Sequence, residues 1–167
     1  MKEILDLIKT RRSIRRYSEK TISNGTIEDI LEAGRWAPSG LNNQPWRFVI
    51  IKDKEKKQIL AGFTKYSKTI ENAKVAICVF LVKNSSYHRE KDILGIGACI
   101  QNMLLYAQSL GVGSCWMGEI LNKKDEVREF LELSDQYELM AVITLGYASE
   151  SPKSSRKTLS ELILKKT

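Results

Sequence analysis

The chain has 167 residues, 43% of them hydrophobic, which suits one domain around one core and excludes a disordered chain. No apolar run reaches the length of a membrane span, and Met1-Lys2-Glu3-Ile4-Leu5-Asp6 mixes charge with apolar residues instead of forming a signal peptide, so a cytoplasmic protein is expected. The net charge of +7, from 27 basic and 20 acidic residues, permits a nucleic-acid surface. Much of that charge, however, is interleaved with acids. Asp53-Lys54-Glu55-Lys56-Lys57 and Lys123-Lys124-Asp125-Glu126 read as solvated helix faces. The unpaired clusters are Arg11 to Arg16 and Lys153 to Lys157, at opposite ends of the chain, and they can converge on a single phosphate group. No nucleic-acid partner is expected. Cys78, Cys99 and Cys115 form no CxxC pair and have apolar neighbours, as buried free thiols do. His88 is the only histidine, so no metal is expected.

Taken in order, residues 2–10 read as a short amphipathic helix with Ile4, Leu5, Leu7 and Ile8 on its apolar stripe. The Arg-rich run follows as a loop. Thr26 suits an N-cap, with Asp29 three residues on in a capping-box-like arrangement. Ile27, Ile30, Leu31 and Gly34 share one face of that helix, which stops before Pro38. The turn-rich stretch Ala37 to Phe48 then carries Gly40 and two prolines, Pro38 and Pro45, which fix φ at two points. Ser39, Asn42 and Gln44 between them are neutral donors and acceptors, suited to a flat polar ligand. An ordinary helix-to-strand connection has the same composition.

Arg47 to Lys52 is a strand whose near-continuous apolar run predicts cover on both faces. Lys54 to Phe63 is a helix with Ile59, Leu60 and Phe63 inward, and residues 64–74 carry no clear pattern. Val75 to Val82 is the most strand-like segment and should be central; Lys83 to Lys91 is a polar loop. Asp92 to Leu110 is the longest helix, with Ile96, Ile100, Met103, Leu104 and Ala107 at helical spacing. Its Gly95, Gly97 and Ala98 form a small-residue surface, for packing either inside one subunit or against a second copy. Gly111-Val112-Gly113 ends this helix, Gly111 being a natural C-cap, so it is not a dinucleotide fingerprint, which follows a strand and opens a helix. Ser114 to Met117 is a strand, Asn122 caps a helix through Leu131, and Leu139 to Leu145 is the last internal strand. Ala148 to Arg156 is an extended tail, and Thr158 to Lys165 closes as a helix.

Three of these segments together resemble the nitroreductase family of FMN-dependent oxidoreductases. They are Arg11-Arg12-Ser13-Ile14-Arg15-Arg16-Tyr17, then Ala37-Pro38-Ser39-Gly40-Leu41-Asn42-Asn43-Gln44-Pro45-Trp46, then the helix with Gln101-Asn102-Met103-Leu104 ending in Leu110-Gly111-Val112-Gly113-Ser114-Cys115. The resemblance runs from about Ile4 to Arg156. It implies an α+β fold, a mixed, mainly antiparallel sheet flanked by helices, in a single domain over residues 1–167 and an intertwined homodimer. It further implies a bound FMN, with NAD(P)H as reductant and a nitroaromatic, quinone or related small molecule as acceptor, in ping-pong turnover.

FMN asks a protein for cations at its phosphate, polar groups along its ribityl chain, and donors near its ring. Arginine suits a phosphate through its planar fork of donors. On the resemblance, Arg11 and Arg156 take the phosphate with Arg12 assisting, Ser13 allows close approach, and Arg15 lies near N1–C2=O. Without the other motifs, the same run reads as a solvated basic turn. Pro38, Ser39, Asn42 and Gln44 are implied to reach the flavin held mainly by the other subunit. Trp116, Met117 and Gly118 would present backbone N–H groups and an apolar surface to the ring, although Trp116 also fits a core position. No catalytic side chain is expected, since the flavin carries the chemistry. Two departures stand out: Ser154 replaces a cation many relatives carry two residues before the tail arginine, and the chain lacks an insertion between the mid-chain helix and the third strand. A non-catalytic module that sequesters FMN or senses redox state, and a reductive dehalogenase on the same fold, are the alternatives.

Overall fold

The most apolar run, Val75–Val82, is a strand with all eight residues buried, and the sheet extends outward from it. In the computed structural model, which describes residues 2–166, the strands are β1 (Trp46–Ile51), β2 (Val75–Val82), β3 (Gly113–Met117) and β4 (Tyr137–Gly146). They lie in the order β1-β2-β4-β3, every neighbouring pair antiparallel. A lone parallel bridge joins Ser13 to Ser114, which makes the arrangement mixed but mainly antiparallel, as expected.

Side chains alternate between the two faces of β2, as the strand period dictates. Val75, Ile77, Val79 and Leu81 pack with Ile27 and Ile30 of α2 (Asn24–Arg35) and Ile96, Ile100 and Met103 of α5 (Arg89–Ser109). The opposite face sends Ala76, Cys78 and Phe80 against Leu60 of α3 (Lys54–Ala61), Ile70 of α4 (Ser67–Asn72) and Val127 of α6 (Lys124–Phe130). The sheet is thus covered by helices on both sides. Helix α1 (Lys2–Thr10) precedes the Arg-rich run, and α7 (Leu159–Leu162) follows the tail. No helix among the described residues is long and apolar enough to cross a membrane.

Several expectations need correction. The N-cap of α2 is Ser23, not Thr26: the Ser23 hydroxyl accepts from the Thr26 N–H at 3.1 Å, and the helix starts at Asn24. Strand β1 is an edge strand, so Arg47 and Ile50 are exposed where two-sided cover was expected. On α3, Ile59 is 51% exposed, while Lys57, expected on a solvated face, is buried with its ammonium donating to the Ala73 carbonyl. Burial, and then the neighbouring Lys74, hold that ammonium below its usual pKa. Helix α5 begins at Arg89, three residues before Asp92. Asn122 lies inside a 3-10 turn spanning Glu119–Lys123, so it caps nothing, and α6 starts at Lys124. The tail helix is only Leu159–Leu162, opened by a capping box between Thr158 and Glu161.

Gly111 ends α5 with φ +72, and the Val112 N–H folds back to the Ala107 carbonyl at 2.8 Å, which turns the chain into β3. The Ser23 cap predicts a clear order of stabilities. Ser23→Ala should cost about 1 kcal/mol, read as a lower urea midpoint, and Thr26→Ala should cost less; the reverse order would return the cap to Thr26.

Candidate functional site

The Arg-rich run is held by its apolar members, and this decides where its arginines point. Ile14 and Tyr17 are buried against the start of β3 and the end of β4. The Ile14 N–H donates to the Ser114 carbonyl at 2.9 Å, and the Ser18 N–H to the Tyr147 carbonyl at 2.8 Å. The Tyr17 hydroxyl donates to the Ile14 carbonyl at 2.6 Å and lies 2.8 Å from the Thr144 hydroxyl. Its burial pushes the phenol well above its usual pKa, so it is a fixed hydrogen-bonding anchor and not an acid. Glu150 in the tail accepts the Arg15 N–H at 2.6 Å and the Arg16 N–H at 3.1 Å, and the Ser149 N–H donates to the Arg16 carbonyl. The tail is thereby stitched alongside the run.

The two basic clusters do converge. Arg11, Arg12, Ser13, Arg15, Lys153 and Arg156 line one cleft of about 220 Å³, with Pro152 and Ser154 between the tail cations. Burial first, then Arg156 and Arg12, pull the Arg11 guanidinium below its ordinary pKa. No hydrogen bond or ion pair among the described residues ends on the Arg11 side chain. Arg12 is partly committed elsewhere: its guanidinium donates at 2.6 Å to the Lys9 carbonyl at the end of α1. Arg15 reaches the Ser13 carbonyl at 3.4 Å, a weak contact, and Arg156 donates to the adjacent Ser155 carbonyl at 2.7 Å; each guanidinium keeps further donors free. Cations gathered against one another without carboxylates between them are a receptor for an anion.

Strand β3 leads away from this cleft. Ser114 bridges Ser13 beside the arginines, and Gly118 lies ~13 Å further along an extended chain. Trp116 is 42% exposed, so it is not a core residue, and it stands over Gly97 of α5. The Met117 side chain is buried in the core beneath the sheet, which leaves only its backbone for a ligand. Gly118 has open space where a side chain would be.

Pro38, Ser39, Asn42 and Gln44 do not join the cleft. Their loop packs on Gly95, near the start of α5, and none of its residues lines the arginine cleft. The loop is strained: Leu41, Asn42 and Gln44 have φ of 54, 54 and 45, a region that costs a non-glycine residue roughly 1–2 kcal/mol. Internal bonds hold part of it, the Gln44 N–H donating to the Ser39 hydroxyl at 3.0 Å and the Asn43 N–H to the Gly40 carbonyl at 3.1 Å. Leu41, at its tip, is 85% exposed. The small residues Gly95 and Gly97 make room for this loop and for Trp116 within the one chain.

Sequence reasoning missed Asn43 and the buried Asp92 it donates to, at 2.8 Å. A consecutive pair of asparagines was the available signal, but nothing in the sequence says which faces inward. Glu150 was also missed, being one carboxylate in a polar tail. The three thiols are not primed as nucleophiles: burial pushes Cys78 and Cys99 up to about 12 and raises Cys115 despite Arg15 and Arg11 nearby.

The nitroreductase family profile matches residues 8–65 and 59–147. A protein of Archaeoglobus fulgidus, provisionally named an NADH dehydrogenase/NAD(P)H nitroreductase, is 36% identical over 90% of this chain and 88% of its own length. A Bacillus subtilis protein provisionally named an NAD(P)H nitroreductase is 31% identical over 92% of this chain and 88% of its own. The crystal structure of a provisionally named nitroreductase from Desulfovibrio desulfuricans, in complex with FMN, superposes with a TM-score of 0.95 at 43% identity, over 98% of this chain and 96% of that one.

The cleft's charge predicts anion binding in the flavin-free protein. Millimolar inorganic phosphate at constant ionic strength should raise the Tm of the native sequence by mass action, and Arg11→Ala should lose most of that rise. An equal rise in both would mean that phosphate acts through the solvent, as it does on proteins in general.

Proposed function

The chain belongs to the nitroreductase family, and on that premise we propose that it binds FMN along β3, phosphate in the basic cleft and ring toward Trp116–Gly118. It is an NAD(P)H-dependent oxidoreductase, and its acceptors are nitroaromatics, quinones or related small molecules, reduced in ping-pong turnover. The observation that carries the flavin assignment is the cleft itself. Arg11 is half-buried among like charges with no hydrogen-bond or ion-pair partner for its side chain among the described residues, and a phosphate dianion would supply the missing countercharge. No dinucleotide fingerprint competes for it.

FMN, when bound, would supply the redox chemistry between NAD(P)H and the acceptor. The protein binds, orients and tunes. Arg11 and Arg156 pair with the phosphate, Lys153 adds a third cation, and Arg12 contributes the donors its helix-capping bond leaves free. Ser13, backed by the Ser114 bridge, lets the ligand approach the backbone closely. Arg15, at the same cleft, would favour the negative charge of the reduced ring if the ring edge lies beside it, as the resemblance implies. Met117 contributes backbone only, Trp116 an apolar face, and Gly118 an unobstructed approach.

The site is completed by a second copy of the chain. The Pro38–Gln44 loop lines no part of its own subunit's arginine cleft, and it exposes Leu41 and Asn42 at its tip. Ile4, Leu5 and Ile8 of α1 expose the apolar stripe read from the sequence, a face that a homodimer would cover. Sedimentation should show a dimer at micromolar concentration, and a flavin-bearing monomer would contradict it.

The purified protein should be yellow, release FMN and not FAD, and oxidise NADH or NADPH with an added quinone. Binding without turnover would instead make it a sequestering module. Arg156→Ala should weaken FMN binding about tenfold to a hundredfold, the equivalent of a charge-assisted hydrogen bond of roughly 1.5–3 kcal/mol, with the fold intact because Arg156 is exposed. An unchanged dissociation constant would shift the phosphate onto Arg11 and Arg12 alone. Lys153→Ala should show a smaller loss and Lys157→Ala none, since Lys153 lines the cleft and Lys157 does not.

A further inference from the structure

Asp92 lies in the first turn of α5, where an acid normally faces water and complements the helix dipole. Here it is 0% exposed. A buried carboxyl group needs partners, and none of the ion pairs among the described residues includes it. Its partners are neutral. The Asn43 side-chain amide donates to one oxygen at 2.8 Å, and the Ser86 hydroxyl donates to the other at 2.5 Å. The same amide also donates to the Ser85 carbonyl at 3.3 Å.

Asn43 sits between Asn42 and Gln44, both at positive φ, while its own φ is −73. Its side-chain carbonyl is buried and has no partner. That orphan oxygen fixes the orientation of the amide: the carboxyl of Asp92 and the carbonyl of Ser85 both accept, so the nitrogen must face them, at the expense of the oxygen. The segment that carries Ser86 holds the loop a second time, because the Tyr87 ring lies over Gly40 where any side chain would collide with it. One buried carboxyl group therefore joins α5, the 83–88 segment and the strained loop.

We propose that Asp92 is a positioning residue for the flavin site: through Asn43 it clamps the Pro38–Gln44 loop in the conformation, left-handed at Leu41, Asn42 and Gln44, that exposes Leu41 and Asn42 at its tip. This rests on the reading that the loop completes a flavin site. Asp92 acts through Asn43 and touches no reactant. Asparagine at position 92 keeps an oxygen for the Asn43 amide and can donate its own amide to the Ser86 hydroxyl, so it should preserve the clamp. Alanine removes it.

Amide hydrogen exchange on the purified native sequence and on Asp92→Ala, Asp92→Asn and Asn43→Ala tests the clamp without reference to catalysis. In Asp92→Ala and Asn43→Ala the amides of Asn42, Asn43 and Gln44 should exchange roughly tenfold faster or more, while those of Val75–Val82 stay protected; Asp92→Asn should remain close to the native sequence. At saturating FMN, kcat with a quinone should fall in the two alanine variants and recover in Asp92→Asn. If Asp92→Ala does not fold, Asn43→Ala, which leaves α5 intact, decides the matter. Loop amides that exchange as in the native sequence would overturn the proposal, as would loosening that spreads equally into β2. A native protein that binds no flavin would sink the proposed function but leave the exchange result standing; a flavin-loaded protein whose loop is indifferent to both alanine variants would sink this inference alone.

Discussion

Like charges brought together repel, and the basic cleft exists only because other bonds force it. The Arg-rich run alternates between side chains that bury and side chains that cannot. Ile14 and Tyr17 go down onto β3 and β4, and Arg11, Arg12 and Arg15 are left on the opposite side. Tyr17 is the pivot, its hydroxyl bonded to the backbone of its own loop and adjacent to Thr144. The tail is then drawn in by Glu150, which delivers Lys153 and Arg156 to the same place. Packing and hydrogen bonds thus hold a local electrostatic cost that is offset once an anion enters.

The second constraint is the N-terminal part of α5, on which the strained loop packs at Gly95. The first turn of the same helix also anchors the loop, Asp92 accepting a hydrogen bond from the Asn43 amide. The stripe of α1 (Ile4, Leu5 and Ile8) and the loop tip at Leu41 are among the large apolar surfaces this arrangement leaves exposed.

What the sequence made legible follows from where the signals are local. The eight apolar residues of β2 and the helical spacing of Ile96, Ile100, Met103 and Ala107 placed the core, because each period has one physical meaning. Gly111 announced the end of α5, since glycine takes φ +72 at little cost. The basic residues of the cleft were legible through motif resemblance and through the lack of interleaved acids. Illegible features depended on tertiary neighbours. Thr26 and Ser23 are both good caps, and the choice was made by where α2 docks. Lys57 looked solvated until Ala73 offered a carbonyl to its buried end. The apolar run of β1 gave no warning that only one neighbour would pair with it. Asp92 looked like an ordinary helix-start acid; only the fold shows that it is enclosed.

The central claim is that the cleft of Arg11, Arg12, Lys153 and Arg156 receives a flavin phosphate. Titration of the flavin-free protein with FMN and with riboflavin, followed by calorimetry or fluorescence quenching, isolates that phosphate. If charge-assisted hydrogen bonds in the cleft hold it, FMN should bind about a hundredfold more tightly than riboflavin or better. Equal affinities would mean that the cleft is not the phosphate site.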